Sequence, residues 1–262
     1  MHSLLQRYFS LRTKNLFNHL HDFEITGGEV PLHDFRVELK KLKSIIKFLK
    51  TVYPKQKFKK TTHLLGSIFQ HAGEIREYQL LQQWLIKHEL KHIAVAYFPK
   101  TSVTEMIGSF HQQSKTYKSD LKEVIDRCHK FIQTTNTILP EQYVIDLNAQ
   151  IEKLLHKQLS VNDWHELRKL IKQWMYATNW ISAEEEVKTD SAFSFYNKLQ
   201  ESIGQWHDLQ VIKETFYQKQ IHFSAEIDIQ KDLNKAWEKL DHAIRYREKQ
   251  VTEMIAKPFA LA

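Results

Sequence analysis

The sequence predicts an all-α protein made of two related helical-bundle repeats, and three observations carry that reading. Helical periodicity runs through nearly all of the 262 residues. Only six Gly and five Pro interrupt it, while Leu, Lys, Gln and Glu abound, a composition suited to long helices rather than turn-rich sheets. Two motifs also recur in the same order at almost one spacing, 132 residues between His33 and His165 and 131 between Gly73 and Gly204. No convincing strand run competes with these signals.

The elements follow from the breaks between them. The start, "MHSLLQRYFSLRTKNLFNHL", is basic and apolar with no acid before Asp22. It lacks a secretory core or small-residue cleavage site, so it reads as a first amphipathic helix rather than a targeting peptide. "TGGEVP" (26–31) ends it. The next helix meets "VYPKQK" (52–57), the following segment "YFPKTS" (97–102), and the one after that "ILPE" (138–141). "SVND" (160–163) and the stretch around "EEEVKTD" (184–190) close two more. Pro and Gly stop helices for steric reasons, and Ser, Asp and Thr cap their starts. About ten helices with short connections result, which is a bundle architecture. The longest apolar run, "IAVAYF" (93–98), is too short to span a membrane. The single cysteine, Cys128, excludes an internal disulfide framework and fits a reducing cytosol.

The second helix carries the functional signal. In "LHDFRVELKKLKSIIKFLK" (32–50), Phe35, Leu39, Leu42, Ile46 and Leu49 fall within about 160–240° of His33 on a helical wheel. His33, Arg36, Lys40, Lys43, Lys47 and Lys50 occupy the adjoining arc, from about 260° to 360°. Residues 31–60 hold ten of the 38 Lys and Arg but two of the 31 acidic residues, a net of +8 against −1 for the remainder. Like charges at i,i+4 repel one another, so a cationic column of this kind calls for an external polyanion.

The column has a counterpart. "WHELRKLIKQWMYATNWI" (164–181) again opens apolar-His-acid-apolar-Arg, with Lys172 seven residues after His165. "AGEIREYQLL" (72–81) likewise pairs with "IGQWHDLQVI" (203–212). The reading is one domain of two repeats, 1–137 and 138–262, related by a pseudo-twofold axis and facing a basic central cleft.

These residues resemble the CHAD domain, the conserved-histidine α-helical domain, whose repeats each carry a His-x-x-Arg helix with further cations and then a Gly-x-x-Arg-Asp-type turn. The first set here is His33, Arg36, Lys40, Lys41, Lys43 and Lys47, then Gly73, Arg76 and Glu77. The second is His165, Arg168 and Lys172, then Gly204, His207 and Asp208. The resemblance implies two bundle-like halves around a basic cavity that binds inorganic polyphosphate without catalysis. It makes His33, Arg36, Lys40, Lys43, Lys47, Arg76, His165, Arg168 and Lys172 the polyphosphate-binding candidates. No catalytic residue, metal, cofactor or membrane contact is expected, and the location expected is the cytoplasm, with polyphosphate granules as a site of association. Glu77 and Gln79 stand where the family has Asp, and Gln173 and Met175 where it has cations, which points to weaker binding by the second half.

The chemistry agrees. Polyphosphate offers about one charge per phosphate and nothing else to read. Arg36 and Arg168 can grip phosphate oxygens in pairs, while lysines supply mobile point charges along the chain. His33 and His165 can donate from one ring nitrogen or serve as helix-start hydrogen-bond partners. Glu77 and Asp208 are suited to orienting Arg or His side chains.

Other motifs are weighed against this reading. "HELKH" (88–92) matches the zincin pattern if His88 and His92 share a helix face, but it has no third ligand at the usual spacing. "HD" at 21–22, 33–34 and 207–208 makes a metal-dependent HD phosphohydrolase the enzymatic alternative. Arg36 and Lys40 would repel a divalent ion at His33, and Asp34 lies about 100° round the helix. "EEEVK" (184–188) fits E-x-E-x-K but sits in an inter-helix loop with no barrel strands around it. Trp84, Trp174 and Trp180 fit apolar helix faces better than base stacking, so nucleic acid would bind only through non-specific, salt-dependent charge.

Overall fold

A computed structural model describes residues 3–136, 138–157, 159–182, 191–220 and 227–256. Among them are nine helices and no strand: α1 (Leu4–Thr26), α2 (Glu29–Val52), α3 (Lys59–Lys87), α4 (Lys91–Tyr97), α5 (Lys100–Ile132), α6 (Ile138–Leu155), α7 (Val161–Thr178), α8 (Ser191–Gln220) and α9 (Ile227–Ala256). The all-α class is as the sequence predicts. No helix among the described residues is long and apolar enough to cross a membrane. The "EEEVK" stretch lies outside the described residues.

The breaks are shorter than the sequence suggests, because two of the prolines are absorbed into helices. Pro31 and Pro140 stand in the first turns of α2 and α6, where a missing N–H breaks no intrahelical bond. Asn136 caps α6, its side-chain oxygen accepting from the Leu139 N–H at 3.1 Å. Ser3 opens α1 with a reciprocal capping box to Gln6. Gly27 closes α1 at φ 60°, the left-handed geometry that Gly adopts without a Cβ clash.

The chain forms two compact units. The first comprises Met1–Gln79, Lys100–Asp146 and Tyr176–Glu184, and the second Leu80–Pro99, Leu147–Met175 and Glu185–Ala262.

In the first unit α1, α2 and α5 pack against one another. The stripe predicted on α2 is its core face: Phe35, Leu39, Leu42, Ile46 and Leu49 are all buried, each worth about 1.5–3 kcal/mol relative to exposure. Phe110 of α5 meets Phe23 edge-on at 5.4 Å and Phe35 at 6.3 Å. Trp180 packs beside Phe48 at 5.4 Å. At the edge of this stripe, on the side away from the cationic column, buried Glu38 ties α2 to α1, accepting from Lys41 at 2.7 Å and from Arg12 at 3.3 Å.

In the second unit α9 packs along α8 and against α4. Leu167, Leu170, Ile171 and Trp174 of α7 are buried as predicted. Trp164 meets Trp206 edge-on at 5.3 Å, and Trp174 meets Tyr196 at 5.1 Å. Cys128, in the first unit, is fully buried and its thiol pKa is pushed up to about 12 by loss of solvent, so it is inert at neutral pH.

Candidate anion-binding sites built on arginine and glycine

In the first unit α2 presents its cations to α3. Arg36 Nη1 donates to the Phe69 carbonyl at 3.0 Å. Its guanidinium lies where a side chain on Gly73 would be, with Nη1 2.5 Å from the position of a Cβ there. Gly73 is required for this close approach, since any Cβ would displace the arginine. The Phe69 ring gathers the other cations. Lys43 Nζ stands 3.7 Å from its centroid, the Arg36 guanidinium carbon 4.5 Å and Lys40 Nζ 5.9 Å, all within cation–π range. The ring attracts positive charge without cancelling it, unlike a carboxylate.

Burial, then the charge of Arg36, holds the Lys43 pKa below its ordinary value. His33 is lowered as well, first by loss of solvent and next by Arg76. Arg36 is lowered by burial and supported by Glu77, whose own carboxyl is raised by burial against the opposing pull of Arg36. Glu77 thus lies in electrostatic range of Arg36. Arg76 reaches Glu29 Oε2 at 3.4 Å. Lys47 is exposed further along α2. Lys41 is turned instead to Glu38, away from this cluster.

The second unit repeats the central contact. Arg168 Nε donates to the Gln200 carbonyl at 3.2 Å, and a Cβ on Gly204 would lie 3.0 Å from Nη2 and 3.1 Å from Nε. In both units the accepting carbonyl belongs to the residue four before the glycine, so it points at the groove that the glycine opens. Ser160 begins α7, its N–H and hydroxyl both donating to Asp163 Oδ2 at 2.8 and 2.6 Å, which sets the register of His165. The His165 and His207 rings lie 5.1 Å apart. Nδ1 of His165 is buried without a hydrogen-bond partner among the described residues, and its pKa is lowered by burial, then by Lys169 and Arg168. Lys172 is lowered to about 8 by burial and by Arg168, with Glu201 and Asp208 opposing.

The units differ in the residues beside the arginine. Gln200 stands where the first unit has Phe69, and Met175 where it has Lys43, so those two positions supply a ring and a cation in the first unit and neither in the second. Among the predicted residues, the structure brings Arg36, Lys40 and Lys43 together on one ring, with His33 and Arg76 in electrostatic range, and groups His165, Arg168 and Lys172. Phe69 was not singled out in the sequence, because an aromatic on an apolar helix reads as core. Its signal was a position four before a motif glycine.

The fold divides the "HELKH" motif. α3 ends at Lys87, and Glu89 takes a φ of 59° before α4 begins at Lys91, so His88 and His92 of "HELKH" do not share a helix. His92 instead binds Asp232 through both its N–H and Nδ1, at 3.0 and 3.1 Å. Among the described residues no group of three or more His, Cys, Asp or Glu side chains is placed to hold a metal.

The described residues are all-α, and in each of the two units an arginine is seated on a motif glycine. The pattern of the CHAD domain matches residues 16–216, and the chain belongs to the CHAD domain family. Its fold is similar to that in the crystal structure of the CHAD domain from the plant Ricinus communis, with a TM-score of 0.66 at 14% identity, covering 98% of this chain and 93% of that one. The search of curated proteins gives no match.

Proposed function

We propose that this chain binds inorganic polyphosphate without transforming it, through the cluster around Arg36 in the first unit and more weakly through that around Arg168 in the second. The observation that carries the reading is the convergence of Arg36, Lys40 and Lys43 on the Phe69 ring. Burial strips Lys43 of part of its water, and it has no carboxylate within ion-pair distance among the described residues. Phosphate oxygens answer that need, and a chain of them can run from Arg36 along α2 towards Lys47. One N–H of each arginine is committed to a backbone carbonyl, which fixes the fork and lowers the entropic cost of meeting phosphate. Binding of this kind would gather the protein at polyphosphate-rich bodies in the cytoplasm.

The test is charge reversal at two residues away from the core, Lys40→Glu with Lys43→Glu. Loss of polyphosphate binding with cooperative thermal unfolding retained supports the proposal. Retained binding, or loss of fold and binding together, refutes the assigned role of the two lysines.

A further inference from the structure

The second unit contains a cavity of about 400 Å³ between α3, α8 and α9. It enters α8 at Leu209, about 180° round the helix from Gln200, so it opens away from the Arg168 site. Its walls are of two kinds. Trp84, Leu209 and Ala243 form an apolar side, with Tyr246 at the rim, 54% exposed. Lys87 and Arg247 supply fixed positive charge. The ring of His88 lies 4.5 Å from that of Trp84, and its pKa is lowered by burial and then by Lys239, Lys87 and Lys235. None of those three lysines has a carboxylate within ion-pair distance among the described residues.

We infer that this cavity binds a 5′-phosphorylated nucleoside, its base against Trp84, Leu209 and Tyr246 and its phosphates towards Lys87 and Arg247. A bare phosphate chain would leave the apolar wall unused, and a neutral aromatic would leave the cations unused. A nucleotide matches both, and the volume lies within the range of small-ligand sites. Base faces stack on aromatic side chains whatever the base, so the site selects the chemical class rather than one nucleobase. The inference is independent of the polyphosphate reading, because the two sites share no residue.

The full chain would be titrated calorimetrically with ATP, with adenosine and tripolyphosphate as probes lacking one half of the ligand. Lys87→Glu and Tyr246→Ser alter exposed side chains, and thermal unfolding of each variant checks the fold. The expected result is saturable 1:1 ATP binding that weakens at least tenfold in Lys87→Glu and several-fold in Tyr246→Ser. Lys43→Glu should leave this binding unchanged. A 5′-phosphorylated diadenylate distinguishes a free nucleotide from a strand end as the source, and Lys87-dependent binding of either supports the site. The inference is overturned if ATP does not saturate, if both variants bind ATP within twofold of the parent, or if Lys43→Glu and tripolyphosphate abolish ATP binding. In that last case ATP would merely be reading the phosphate site on α2.

Discussion

The Arg36 guanidinium fills the space that a side chain at Gly73 would take, and from there its Nη1 donates to the Phe69 carbonyl 3.0 Å away. Arg168 stands in the same relation to Gly204 and to the Gln200 carbonyl. The recurrence explains why the sequence repeats Arg and Gly together: each arginine needs the missing Cβ to reach its anchor. Under the proposed function, an arginine so anchored is prearranged to meet phosphate.

Gly73→Ala should separate binding from stability. The new methyl displaces the arginine, costing its hydrogen bond, about 1 kcal/mol. Replacing a mid-helix Gly by Ala returns about the same amount in helix propensity. The melting temperature should therefore change little while polyphosphate affinity falls about tenfold. Gly204→Ala, where the approach is 3.0 rather than 2.5 Å, should have the smaller effect, as titration of both variants would reveal.

Phe69→Leu removes the ring face but keeps an apolar side chain. The three cations lose attractions of about 0.5–1 kcal/mol each and spread into solvent. Polyphosphate affinity should drop roughly three- to tenfold with cooperative unfolding preserved. An affinity equal to the parent's would show that the platform does not organise the site.

Lys172 gives a pH dependence with a defined sign. Its folded pKa of about 8 lies below the ordinary lysine value of 10.5, so the folded unit binds fewer protons than the unfolded chain between those values. Its contribution to stability is present above pH 10.5 and is lost as pH falls through about 8. Lys172→Met should therefore raise the melting temperature at pH 7, by about 2–4 °C per kcal/mol recovered, while weakening anion binding. A bound polyanion favours the charged lysine, so affinity in the second unit should rise between pH 9 and 7. His33 and His165, both held below 6.5, should add a further rise under pH 6.5. Calorimetry in buffers of different ionisation enthalpy would detect the accompanying proton uptake.

Glu38→Ala probes the opposite face of α2. It leaves Arg12 and Lys41 without the buried carboxylate that joins them. Breaking a buried ion pair from one side costs about 3–5 kcal/mol, which denaturant unfolding would register. Polyphosphate affinity should be unaffected wherever the variant remains folded.

The parts of this protein that depend on periodicity were legible in its sequence. The α2 stripe is buried residue for residue, and the apolar face of α7 likewise, because a helical wheel determines which side chains share a face. The Arg–Gly repeat was legible as a pattern, but its meaning was not. The arginines reach backbone carbonyls, which every residue has and no side-chain motif marks. Phe69 was hidden because an apolar helix face gives no sign of which aromatic meets cations. Lys41 shows the reverse case: it lies in the same cationic run as Lys40, yet one residue's rotation of about 100° turns it to Glu38. Pro140 read as a break and proved a helix start, since the first turn tolerates proline. The left-handed Glu89 that splits "HELKH" had no Gly or Pro to announce it.

The central claim is that these clusters form shaped phosphate sites rather than a generally basic surface. A titration with long-chain polyphosphate, set against single-stranded DNA matched in charge and repeated at low and near-physiological salt, tests it most directly. Tight polyphosphate binding that survives the higher salt while DNA binding is lost is the predicted result. Equal affinities that collapse together as salt rises would contradict it and leave only screened, non-specific charge.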